Sequence, residues 1–338
     1  MMKKISTTAL WVSLFGLGCA GVAPGDDPLD TTSSNPPIED SRPGIKGDDS
    51  TPVNPHNPPD PLDCADTSAL ASPSNGHLGA TTRITSLIMP SSISAATAMG
   101  CPLVAGHNGG QGLAALMRMM NLEVGSLVQP DATGVIPSII LGHLVGWDVG
   151  QTGNETLNLD LRMYMGTPLG SNRFGIDPTS MNANGDTRVE FEATVGCQTL
   201  ETATGRIEFA VPVESAAVPL TLEASQVSGK LSVNQAGFDV TDGLIVGYVP
   251  VAAIVSIVQD IQTACSGPQA PTGCADAGIL LNGDAESITH SLVLPFLYGL
   301  DARLSADQRS ASACEGDDCN AMSVCLGFTA NAVQVEGL

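Results

Sequence analysis

The chain has 338 residues, 35 acidic against 13 basic side chains and a formal charge of -22, and 43% of it is hydrophobic. Such an acid excess excludes a nucleic-acid partner, because phosphate binding needs clustered Lys and Arg; beyond the first four residues the only lysines are Lys46 and Lys230. The same repulsion disfavours a folded surface that adsorbs to anionic lipid, while the apolar content suffices for a large core.

Residues 1–18 read as an export signal. Lys3 and Lys4 supply its positive start, and the apolar run from Ile5 to Leu17 is too short to cross a ~30 Å hydrocarbon layer. Gly16-Leu17-Gly18-Cys19-Ala20 then resembles a bacterial lipobox. In such signals the cysteine is acylated and becomes the mature N-terminus, so Cys19 is the expected lipidation (palmitate) site. Ala20 after it would route the protein to the outer membrane, which the lipid then makes its first partner. The alternative is ordinary cleavage after Ala23, with Pro24 poorly placed to follow a cut.

Residues 19–62 form a tether. Ten of the 23 prolines fall between Val22 and Leu62, together with eight acidic residues and little to bury. A segment of that kind stays extended, with a span of roughly 35 Å. Residues 63–338 then carry alternating apolar patterns and eight cysteines: Cys64, Cys101, Cys197, Cys265, Cys274, Cys314, Cys319 and Cys325. An even count in an exported chain predicts disulfides. Cys265 with Cys274, and two of the last three, are spaced for local loops, whereas Cys101 and Cys197 lie in different segments and could staple the two halves. Zinc is the alternative, but there is no CxxC and no His near the C-terminal trio.

Along this body the strand pattern dominates. Thr81 to Met89 alternates, and Thr156 to Met165 places Leu157, Leu159, Leu161, Met163 and Met165 on one face. Thr187 to Val195 follows the turn dipeptide Asn184-Gly185. Gly205 to Val213, Val218 to Ala224, Lys230 to Val233, Phe238 to Val240, Thr289 to Leu297 and Val324 to Val335 continue the series. Two helices interrupt it: Gly112 to Leu122, with a Met-rich face, and Pro250 to Ala264, with Val251, Ile254, Val255, Val258 and Ile261 on one stripe. The predicted fold is mainly β, sandwich-like or barrel-like with antiparallel strands, and about two helices packed on it.

Catalytic motifs are sparse. The sequence has no GxSxG, HExxH, Walker loop or SxxK, and His77, His107, His143 and His290 are scattered. A triad assembled by the fold remains open, with His143, Asp148, His290 and Asp301 as the first candidates. The glycine-rich run Gly106 to Gly112 reads as a turn, since a chain of this charge repels phosphate. For calcium, Asn182, Asn184 and Asp186 alternate as oxygen donors, although Gly185 falls one place early and a hairpin turn explains the same residues. The loop Glu315-Gly316-Asp317-Asp318 is a second acidic candidate, and otherwise no cofactor is predicted. Sugar platforms lack aromatic residues, since Trp147, Tyr164, Tyr248 and Tyr298 are expected mostly in the core.

The blocks LAALMRMMNLEVGSLVQPDATGVIPSIILGHLVGWDVGQTG and LNLDLRMYMG between Leu113 and Gly166, VPLTLEASQVSGKLSVNQAGFDVTDGLIVGYVPVAAIVSIV from Val218 to Val258, and SVCLGFTANAVQVEG near the end resemble a recurrent domain of myxobacterial lipoproteins. The resemblance implies lipid anchoring, a mostly β domain and no particular activity. Where members carry a calcium-loop-like acidic stretch before the first helix, this chain has Gly106 to Gln111 without Asp or Glu. The expectation is a lipid-anchored envelope protein that binds an unknown envelope or extracellular partner. The alternatives are a hydrolase with an unusual site and a periplasmic carrier of apolar ligands.

Overall fold

The computed structural model describes residues 68–102, 123–170, 172–213, 216–267, 283–296, 299–314 and 316–337. The signal, Cys19, the tether, the helix expected over Gly112 to Leu122, and Cys64 and Cys274 lie outside them. In chain order the strands are β1 (His77–Leu78), β2 (Thr81–Ile88), β3 (Ile140–Val145), β4 (Leu157–Gly170), β5 (Arg173–Ile176), β6 (Val189–Gly196) and β7 (Thr199–Thr202). There follow β8 (Gly205–Val213), β9 (Ala216–Asn234), β10 (Gly237–Pro250), β11 (Ala302–Leu304), β12 (Ala311–Ala313), β13 (Ala321–Ala332) and β14 (Gln334–Glu336).

Eight of these close on themselves. β2 pairs β3, β3 pairs β4, and the antiparallel path runs on through β6, β7, β9, β10 and β13 back to β2. The fold is thus a closed eight-stranded antiparallel barrel with few helices. Closure leaves no free edge around the ring. The alternation read in β4 is what fills it: Leu159, Leu161 and Met163 are buried beside Val189, Phe191, Ala193 and Val195 of β6. Val240 and Phe328 join the same core, and Trp147 stacks on Phe238 with ring centroids 6.1 Å apart. Packing is tight enough that a Cβ built on Gly243 would lie 2.6 Å from the Phe328 ring.

β9 is longer than the sequence suggested, because the runs 218–224 and 230–233 belong to one strand. It pairs β8 from Ala216 to Ser225 and β7 from Ser228 to Lys230, and the Thr202 hydroxyl accepts the Val227 N–H (2.8 Å) where the partner changes. Past the ring, β9 and β10 support helix α2 (Val251–Ser266), whose Ile254, Ile257 and Val258 are buried in the continuous core. Pro250 is its N-cap. A short helix, α1 (Ile93–Ala98), capped by the Ser92 hydroxyl, precedes Cys101, and Cys101 is bonded to Cys325 of β13.

The strand expected over Thr289 to Leu297 is instead helical as far as Phe296, and Leu297 lies outside the described residues. This third helix, α3, is α over Ala285–Ile288, widens to a π turn over Thr289–Val293 and ends as α over Leu294–Phe296. Asp284 starts it by accepting the Ser287 N–H at 2.9 Å. The wide turn sits just before Pro295, which has no N–H to donate and whose ring would crowd the carbonyl one turn back.

A small sheet of β1, β14 and β5 continues from the outer end of β4. Phe174, Ile176 and Val335 from it, with Val333, bury against Ile139, Leu141 and Tyr164 to make a second core.

Candidate functional site

Two polar assemblies interrupt this apolar plan. The first lies on the outer wall of β2, β3, β4 and β6. Register places Thr81, His143, Arg162 and Glu190 in one row, and Arg83, Leu141 and Tyr164 in the next. Side chains in register share a face, so Arg83 and His143 are diagonal neighbours at roughly 7 Å. Arg162 is satisfied: its Nε donates to Glu190 Oε1 at 2.9 Å, and the Glu190 carboxylate is the main support of its charge. Arg83 is different. Its guanidinium lies 5.4 Å from the centroid of the Phe174 ring, while Nε and Nη1 are sealed and have no hydrogen-bond partner among the described residues. His143 Nδ1 is sealed and unpartnered too.

Burial, helped by the Arg162 charge, pushes the His143 pKa down to about 4, so the ring is neutral at pH 7. Burial lowers the Arg83 pKa and raises that of Tyr164. The hydroxyl facing His143 across the strand pair, Thr81 Oγ1, donates to the Val333 carbonyl at 2.6 Å and is therefore committed. This wall can present hydrogen-bond donors and one unneutralised cation. It has no activated nucleophile.

The second assembly runs across β9, β10 and β13, where Glu223, Tyr248 and Ser323 are in register. Asp301 accepts the Ser323 N–H and the Ser323 hydroxyl, each at 2.6 Å. Glu223 is buried, with Arg206 Nε at 3.4 Å from its carboxylate; desolvation raises its pKa against the pull of that cation. Desolvation and then the Asp301 charge raise the Tyr248 pKa. A serine bonded to a carboxylate lacks the imidazole that would take its proton near neutral pH. As arranged, Asp301 braces β13.

The four residues named as a possible catalytic set do not meet. Asp301 lies at Ser323, whereas His143 faces Thr81, next to the Thr82–Ala332 pair, roughly 30 Å along β13 from Ser323. Asp148 is exposed in the turn after β3, where its N–H donates to Gln151 Oε1 at 2.8 Å, and His290 is exposed on α3. The calcium candidates form a turn: the Asn182 N–H donates to the Asp186 carbonyl, Asn184 Nδ2 donates to Asp186 Oδ2 at 2.5 Å, and Gly185 takes the φ of +86° the reversal needs. Asp317 and Asp318 are exposed in a short turn beneath the Cys314–Cys319 disulfide, and Glu315 lies outside the described residues. Among the described residues no three His, Cys, Asp or Glu side chains gather as a metal site.

Of the cysteines, Cys314 bonds Cys319 as a local loop, whereas Cys101 bonds Cys325 of β13 and not Cys197, so the expected staple between those two does not form. Cys197 and Cys265 are also disulfide-bonded. Trp147 and Tyr164 are buried as expected, and Tyr248 is partly buried. Arg83 was missed because an arginine in an alternating strand reads as its solvent face. The one available signal was the rarity of basic residues in this chain.

No family model, curated protein or solved structure matches this chain.

Proposed function

We propose that the protein is a lipid-anchored module of the cell envelope that works by binding, held from Cys19 on an acidic proline-rich tether at the outer membrane. The observation that carries the binding part is the filled barrel. Phe191, Phe238, Phe328 and Trp147 occupy the core, which speaks against an apolar carrier and moves recognition to the outer surface. The separation of His143 from Asp301 speaks against the assembled hydrolase. The signal sequence, the lipobox-like run and the resemblance to myxobacterial lipoproteins support the anchor.

Two measurements test the reading. Cells fed a palmitate analogue should label the wild-type chain and not Cys19→Ser; an unlabelled wild type removes the anchor. Purified chain should leave a panel of ester and glycoside substrates intact. Turnover that disappears in Ser323→Ala would make the protein an enzyme and end the binding-module reading.

A further inference from the structure

Basic side chains are scarce in this protein, and most of those with a described partner have an acid: Arg162 with Glu190, Arg173 with Glu336, Arg206 with Glu208 and Glu223, Lys230 with Asp242. Arg83 is the exception on the barrel wall. It is half-buried over Phe174, with two sealed nitrogens that reach no acceptor. A desolvated guanidinium without a counter-charge is strongly unfavourable. In a chain with 35 acids its neutralisation would have been easy. Its diagonal neighbour His143 carries a second unpartnered nitrogen, and Arg162 and Tyr164 complete the patch. Arg83 Nη2 and His143 Nε2 are not sealed, so the assembly opens outward through them.

We infer that the wall formed by Arg83, His143, Arg162 and Tyr164 beside Phe174 binds a monocarboxylate; this rests on the reading of the chain as a binding module. The charge state of the wall selects the class. Glu190 neutralises Arg162 and His143 is uncharged at pH 7, which leaves one uncompensated positive charge. One carboxylate matches it. A phosphate monoester would bring close to two charges into a molecule already at -22. Stacking on Phe174 holds the planar guanidinium in place before the ligand arrives, which lowers the ordering cost of binding.

The full mature chain, purified in detergent with isotope-labelled histidine rings, provides the test, with benzoate and inorganic phosphate as probes and His143→Gln to assign the resonance. Benzoate should shift the His143 ring signals saturably at pH 7. Its affinity should fall at least tenfold in Arg83→Gln and stay unchanged in Lys230→Gln, whose exposed ion pair lies elsewhere. Phosphate should bind at least tenfold more weakly. A His143 signal indifferent to benzoate overturns the inference. So does phosphate as effective as benzoate, or a loss in Lys230→Gln equal to that in Arg83→Gln. If Arg83→Gln does not fold, the wild-type contrast between benzoate and phosphate at His143 decides alone. Indifference to benzoate in a chain lipidated at Cys19 removes this ligand class and leaves the envelope module standing, whereas Ser323-dependent turnover removes the module whatever benzoate does.

Discussion

Burial of the His143 imidazole beside Arg162 ties the stability of the barrel to pH. The ring titrates near 4 in the folded chain against an ordinary 6.5. Between those values the unfolded chain binds the proton and the folded chain does not, so stability is full above about pH 6.5 and falls as the pH drops toward 4. The groups facing the ring agree in sign: Arg162 on β4 and Arg83 on β2 are cations, and Glu190 on β6 is already engaged by Arg162. Between pH 7 and pH 5 this one group should cost wild type about 2 kcal/mol that His143→Gln does not lose. Urea unfolding of both proteins at the two pH values measures the difference, and parallel losses would show that the ring is not desolvated. Gly243 makes a different demand, since a Cβ there meets the Phe328 ring at 2.6 Å. Gly243→Ala should destabilise the barrel by about 1–3 kcal/mol through overpacking, and an unchanged urea midpoint would count against the tight contact.

At the scale of single elements, α3 shows how a cap outweighs an alternating pattern. The Asp284 carboxylate holds the Ser287 N–H on an exposed first turn, so Asp284→Ala should cost about 1 kcal/mol in chemical denaturation, whereas Asp284→Asn should cost less. The pattern misled at 289–297 because Leu292, Leu294 and Phe296 recur at every second position, as in a strand. The decisive signals were the acidic cap upstream and the proline, and neither has period two. β4 was legible for the opposite reason: one face fills the barrel while most of its other face stays polar, so Leu159, Leu161 and Met163 stand out. β3 was invisible. Its inner residues Ile140 and Leu144 enter the barrel while Leu141 enters the second core, and burial on both faces erases alternation. The candidate site lies along that same illegible stretch. His143 could be named from the sequence, but its half-buried diagonal neighbour Arg83 could not, because the contact of Arg83 with Phe174 depends on β5 folding back over β2.

For the whole molecule, the question is what closes the ring. The seam joins β2, near the start of the folded body, to β13, near its end, and Thr85 hydrogen-bonds Thr329 across 244 residues of sequence. Local pattern carries no information about a contact of that range, and its loop-closure entropy is among the largest the fold has to offset. The Cys101–Cys325 disulfide fastens the same region, tying the residue that follows α1 to the middle of β13 across 224 residues. The Cys314–Cys319 bridge closes a separation of 5. If disulfides act mainly by restricting the unfolded chain, the long bridge contributes about 5 kcal/mol and the short one about 2 kcal/mol. The double variant Cys101→Ser/Cys325→Ser should therefore lose substantially more stability in urea than Cys314→Ser/Cys319→Ser, and reductant should take wild type at least as low as the first. Equal losses in the two variants would mean that strand pairing alone secures the seam. A wild-type melting temperature unmoved by reductant would mean that none of the bridges braces the fold.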